Sequence, residues 1–228
     1  MGAKGRRVPG VPAELRAALA PGTAETWEAL APHLPAALYL GGGTAVAVHL
    51  RHRESADLDF FYHNSSVELD ELAERLSRVG PFAITRRAPG TLRGLFDGTK
   101  VEFLHADEVR PQLLLREPTE VAGLRVAALE DLMAMKLKVI GDRGEARDYF
   151  DVMSIDENGA VTLEDGIALF LERYELPPTS DALPHLISAL GYLDDVEQDD
   201  SLPLDKAALA RWWQERQPRL VRELSRRG

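Results

Sequence analysis

The sequence predicts an α+β protein, a mixed β-sheet with helices against it, followed by a helical lobe. Three observations predict this. Short apolar runs at Leu38 to Leu40, Leu58 to Tyr62, Phe82 to Arg87, Leu92 to Phe96 and Lys100 to His105 read as strands. One helical repeat, Leu69, Leu72, Leu76 and Val79, separates the second run from the third, so strand, helix and several strands follow one another. Beyond residue 160 the apolar residues recur only at helical spacing. At 228 residues the chain can hold one large domain or two small ones. The division is expected near residue 156, with a sheet-bearing lobe over 1–156 and a helical lobe over 157–228.

Charge and composition narrow the classes. A net charge of −10 argues against a surface that grips nucleic acid everywhere, while allowing a local basic groove or a basic partner. With no cysteine, disulfides and thiolate metal sites are excluded. No apolar run is long enough for a bilayer and no signal-peptide pattern opens the chain, so a cytoplasmic protein is expected.

In chain order, residues 1 to 10 are rich in Gly and Arg and read as a frayed terminus. Leu15 to Leu34 reads as one or two helices interrupted at Pro21-Gly22, with Leu15, Leu19, Trp27 and Leu30 inward and Thr23 as a cap. The strand at Leu38 to Leu40 ends at Gly41, Gly42 and Gly43, and Thr44 stands where a helix N-cap belongs. His49, inside that helix, reads as a packed, hydrogen-bonded histidine. Asp57 and Asp59 flank Leu58 at the next strand. Residues two apart point to one face, so both carboxylates project together while Leu58 and Phe60 face the core. Like charges so placed are costly unless a cation neutralises them, and a hard divalent ion suits carboxylate oxygens and phosphates. The glycine turn just upstream lets backbone N–H groups approach a phosphate. A phosphate cradle beside a dicarboxylate is an arrangement for phosphoryl or nucleotidyl transfer.

Gly-Gly-Thr, twelve residues (45 to 56), then Asp-x-Asp resembles the signature of the DNA polymerase β-like nucleotidyltransferase superfamily. The fuller string G-G-T-A-x-A-x-H-L-x-H-R-x-S-x-D-L-D-F-F resembles the AbiEii/AbiGii abortive-infection toxins and their relatives, the MenT toxins. The resemblance implies that Asp57 and Asp59 hold magnesium, with manganese as an alternative. It implies that Gly42, Gly43 and Thr44 seat nucleotide phosphates, and that His52, Arg53 and Ser55 shape the site or touch the triphosphate. Arg51 and Arg53 read equally as a solvated helix end.

Further along, Gly80-Pro81 ends the Leu69 to Val79 helix, and Asp97-Gly98 is a hairpin signal between two strands. Glu102 sits in mid-strand, where glutamate is disfavoured unless the strand is an edge. The resemblance implies instead a third carboxylate, a base for the attacking hydroxyl or a further metal ligand. Leu124 to Ala127 reads as a last short strand and Leu129 to Ile140 as a helix. Lys136 lies on that helix's apolar stripe and must snorkel or find an anion, whereas Lys138 points to solvent. D-L-M-A-M-K is similar to the family's D-x-x-A-M-K, which implies that Lys136 neutralises phosphate charge. E-A-R-D-Y-F-D-V resembles R-x-x-R-D-x-x-D and places Asp148 ahead of Asp151 as the aspartate that positions lysine or nucleotide. Helices are expected over Leu163 to Tyr174, Leu183 to Leu190 and Leu204 to Leu224. Arg219, Arg222, Arg226 and Arg227 either meet RNA or form a basic helix end.

Together these imply a nucleotidyltransferase that takes a nucleoside triphosphate and releases pyrophosphate, the toxin of a toxin–antitoxin pair. The implied acceptor is the tRNA 3′ end, and an antitoxin protein is the implied partner. A transferase that modifies a protein or small molecule, or a silent binding partner in an antitoxin complex, are the other classes.

Overall fold

A computed structural model describes residues 9–63, 67–106 and 114–227. Most of the frayed terminus expected at residues 1 to 10 lies outside them. The chain opens with two short helices, α1 (Ala13–Arg16) and α2 (Thr23–Leu30), and a 3-10 turn at Ala31–His33. Leu15, Leu19, Trp27 and Leu30 are buried, as their spacing predicts. Thr23 is the first helical residue rather than the cap. Gly22 takes the cap position at φ 85°, and the Thr23 hydroxyl donates to the Ala56 carbonyl.

Strand β1 (Tyr39–Leu40) leads into α3 (Gly42–Leu50) and then β2 (Leu58–Tyr62). Helix α4 (Leu69–Val79) buries Leu72, Ala73 and Leu76 and carries the chain to the sheet edge at β3 (Phe82–Ala88). Two antiparallel strands return, β4 (Thr91–Phe96) and β5 (Thr99–His105). Asp97 and Gly98 both have positive φ at their turn, which matches the twist of paired strands. β6 (Thr119–Val121) precedes β7 (Leu124–Val126); β6 carries no strand signal in the sequence.

The seven strands run in the order β3-β4-β5-β2-β1-β7-β6. β2 is parallel to β5 and β1 to β7, while the remaining neighbours are antiparallel, so the sheet is mixed. Leu58, Phe60, Val101 and Phe103 form one wholly buried row face, with Phe60 stacked on Phe103. Each such side chain contributes about 1.5–3 kcal/mol by leaving water. β5 lies between β4 and β2, so Glu102 is an interior residue and the edge explanation for it fails.

Five helices follow: α5 (Leu129–Asp142), α6 (Ala146–Asn158), α7 (Leu163–Arg173), α8 (Ala182–Leu190) and α9 (Lys206–Arg227). α6 runs through residue 156, and α3, α6, α7 and α8 all pack on α5. That surround explains why α5 buries charged Asp131 and Lys136 along with its leucines. Arg173 of α7, itself buried, ion-pairs with Asp131 and donates to the Tyr39 hydroxyl on β1 at 3.2 Å. Asp131 also accepts from the Leu115 and Arg116 amides. One hydrophobic cluster runs from Val11 through the sheet to Leu209, Trp213 and Leu220. Among the described residues no helix is long and apolar enough to cross a membrane.

Candidate active site

The glycine turn forms because its backbone lies where side chains would collide. Gly42 has φ 63°, and a Cβ there would overlap the Asp59 carboxylate. A Cβ on Gly43 would overlap the Arg53 guanidinium and touch Asp151. These two glycines therefore sit directly over two charged groups, Asp59 on one side and Arg53 with Asp151 on the other. The Gly41 amide donates to the Asp59 carbonyl at 2.8 Å, which fixes the turn against β2. Helix α3 starts at Gly42, with Gly41 as its cap residue, so the expected capping role of Thr44 is not observed. Thr44 is buried in the first turn instead. Its hydroxyl lies 2.7 Å from the Ser55 hydroxyl and donates to the Asp57 carbonyl, tying the helix start to the loop that delivers the aspartates. The first-turn N–H groups of α3 have no helical carbonyl to meet, which leaves them for an anion.

The acidic side is built by register. Asp59 is the direct cross-strand partner of Glu102, and Glu102 is the partner of Arg93 on β4. Asp57 is one-third exposed and Glu102 is buried. Two cations that sequence reasoning missed stand here. The Lys100 ammonium is 2.8 Å from Glu102 and 3.7 Å from Asp57, and the Arg93 guanidinium is 3.0 Å from Glu102. Lys100 is two residues from Glu102, so strand alternation was a signal for it; Arg93 is fixed only by pairing. Burial, with Glu102 and Asp57 as like-charged neighbours, pushes the Asp59 carboxyl up to about 6.

The other side is a closed ion network. The Lys136 ammonium is 2.7 Å from both Asp148 and Asp151. Asp151 also receives Arg53 at 2.7 and 3.0 Å and faces His52 Nε2 at 2.7 Å. Burial works against the Lys136 charge, and Asp151 and Asp148 more than offset it. Burial likewise opposes ionised Asp151, yet Lys136, His52 and Arg53 hold it well below the usual carboxylate range. Asp148 has a second duty, accepting from the Glu145 amide in a capping box at the start of α6. Asp148 holds Lys136 as the sequence predicts, and Asp151 is the hub that also gathers His52 and Arg53. Lys138 pairs with Asp142 at the surface, as its direction predicts. His49 bonds the Ala127 carbonyl at 2.8 Å and is structural. Arg219 and Arg226 pair with Glu215 and Glu223 along α9.

All the expected site residues, Asp57, Asp59, Glu102, Gly42, Gly43, Thr44, Arg53, Ser55, Lys136 and Asp148, therefore gather around one turn. Among the described residues no three His, Asp or Glu side chains form a ready metal cage. A carboxylate pair still suits magnesium, which takes one or two carboxylates and fills its shell with phosphate and water. The raised Asp59 proton affinity marks negative charge that a cation would relieve.

A mixed sheet with a glycine turn set over paired carboxylates at the end of an interior strand suits the chemistry of a nucleotidyltransferase. The sequence comparison narrows this further. The AbiEii nucleotidyl transferase toxin family, of type IV toxin–antitoxin systems, matches residues 27–226, and the chain belongs to that family. The family implies a nucleoside triphosphate substrate and an antitoxin partner. An uncharacterized protein of Aquifex aeolicus is 26% identical over 163 residues, 71% of this chain and 76% of that protein. The structure of MenT4, a nucleotidyltransferase toxin from Mycobacterium tuberculosis, superposes with a TM-score of 0.56 at 19% identity, over 92% of this chain and 86% of that one. This is a likeness of fold.

Proposed function

We propose that this toxin, acting in the cytoplasm, transfers a nucleoside monophosphate from a nucleoside triphosphate to the 3′ hydroxyl of tRNA. The observation that carries the reading is the position of the Gly42-Gly43 turn, directly over both the acidic pair and the cationic network. A triphosphate seated on the first-turn amides would have its α-phosphate beside Asp57 and Asp59. Asp57 and Asp59 would hold magnesium or manganese, which supplies charge neutralisation on the triphosphate when bound. Lys136, held by Asp148 and Asp151, joins Arg53, Thr44 and Ser55 in holding the turn in place beneath the phosphates. The acceptor oxygen bonds to the α-phosphorus, the bond to the β-phosphate breaks, and pyrophosphate leaves with the electron pair. Glu102, next to Asp59 in register, takes the hydroxyl proton. The residues assigned to the transfer all lie within 1–156, and the helices beyond complete the packing on α5.

The experiment supplies each α-labelled nucleoside triphosphate in turn with magnesium, and either total tRNA or no RNA. Label is expected on tRNA, and none with the Asp57→Ala, Asp59→Ala double variant. Label on the protein or a small molecule, with tRNA untouched, would replace the tRNA reading. Activity surviving in the double variant would remove the dyad from the mechanism.

A further inference from the structure

The face of the sheet that carries Asp59 continues past the acidic pair as an open surface. Register defines one straight row across four strands: Asp59 on β2, Glu102 on β5, Arg93 on β4 and Arg86 on β3. The neighbouring row is extended by Lys100 opposite Leu95, and Leu95 is 40% exposed. Arg86 is exposed, Arg93 is 38% exposed and Lys100 is 49% exposed. The charge changes sign along the row, from carboxylates at β2 and β5 to guanidinium groups at β4 and β3. Over three strand spacings this is about 14 Å.

Two features make Arg86 more than an edge arginine. Like charges directly opposite one another on a sheet are unfavourable, and Arg86 directly opposes Arg93. Arg93 is matched by Glu102, while Arg86 has no ion-pair partner among the described residues. The strand is also bulged between Ile84 and Arg86. Ile84 pairs with Gly94 and Arg86 with Arg93, so Thr85 is the extra residue. Without the bulge, Thr85 would stand opposite Arg93. A bulge re-aims side chains, and this one brings a second cation onto the same face as Asp59 and Glu102.

The geometry points to this face as the track for the acceptor strand: Arg86 and Arg93 hold backbone phosphates of an RNA whose terminal hydroxyl lies at Asp59 and Glu102. The inference rests on the reading that the acceptor is RNA, and adds which surface binds it. The chain is acidic overall, so a basic row that runs up to Asp59 favours a polyanion at this face. Leu95 offers an apolar side to an unstacked base beside the phosphates.

The test measures binding of a short single-stranded RNA with a free 3′ hydroxyl to the full chain, without nucleotide, over a range of salt. Arg86→Ala is expected to weaken binding by about five- to tenfold, to lower the salt slope by about 0.7, the value for one lost phosphate on a single strand, and to leave the melting temperature unchanged. Arg86→Lys restores most of the affinity. In transfer assays Arg86→Ala raises KM for RNA and leaves kcat near the parent value. Unchanged affinity and slope in Arg86→Ala would overturn the track, even where the parent protein labels RNA. Polyglutamate of matched charge binding with the same Arg86 dependence would overturn it too, making the row a surface for acidic proteins. A parent protein that labels no RNA but modifies another acceptor would strike the tRNA reading, while RNA binding alone still decides the track.

Discussion

Beneath Gly43, Asp151 meets Lys136, Arg53 and His52 within 3 Å, and every charge there is answered inside the protein. Beneath Gly42, Asp59 meets two further carboxylates, and Lys100 and Lys136 offset its charge only in part, so burial and like charges prevail. The same turn therefore spans a satisfied network and an unsatisfied one. A satisfied buried network holds geometry, since removing any member strands a charge. An unsatisfied one stores an attraction for something that arrives later, which is how binding and reacting sites differ from scaffolding. On the proposed reading, the contrast puts the Lys136 side to holding the turn and the Asp59 side to the chemistry.

The sharpest way to break this contrast is Asp59→Asn. Transfer is expected to fall by at least about 1,000-fold, as several kcal/mol of charge stabilisation are lost. The melting temperature should stay level or rise, because a like-charge repulsion is relieved. A fall in both activity and stability would place Asp59 with the scaffold.

Lys136→Met tests the opposite side. It leaves Asp148 and Asp151 buried around an uncharged side chain and should cost about 3–5 kcal/mol in denaturant unfolding. If stability were unaffected while transfer vanished, Lys136 would be a phosphate contact rather than the keystone of the network.

A smaller effect separates the two sides by pH. The Asp59 carboxyl titrates near 6 in the folded chain and at 3.8 when unfolded. Between those values the folded state holds the proton that the unfolded state has released, so metal-free stability falls as pH rises from about 4 to 6. Magnesium should flatten that slope by favouring the ionised form, and Asp59→Asn should abolish it. Melts in chelator and in magnesium across that window measure it; an identical slope in the variant would assign it elsewhere.

The smallest change is expected at Lys138. It lies two residues from Lys136 but pairs with Asp142 in solvent, so Lys138→Ala should shift stability by less than about 0.5 kcal/mol. A larger shift would mean that exposure is not what separates these two lysines.

The strands, the amphipathic helix over Leu69 to Val79 and the charged residues of the turn were legible because each is encoded locally. Alternation placed Asp57 and Asp59 together, and helical spacing turned Lys136 inward. β6 was not legible, since its turn uses Ala122 at φ 44° where Asn or Asp would announce a hairpin. The hub position of Asp151 has no local signal, because its partners His52 and Arg53 lie 99 and 98 residues away in sequence. Arg93 was missed for a related reason: only strand order brings it beside Glu102. Thr44 was misread because an N-cap signal assumes that the helix starts after the threonine. Here the helix starts two residues ahead of it, at Gly42.

Arg173 reaches from α7 to Asp131 on α5 and to Tyr39, two residues before Gly41. A chain ending before α7 would seal the Asp131 carboxylate without a counter-charge and leave a bare phenol beside the glycine turn. The sheet and the later helices are therefore a single inheritance. Relatives could exchange surface loops freely, but a recombination that joined one protein's sheet to another's helices would have to carry Tyr39, Asp131 and Arg173 across together.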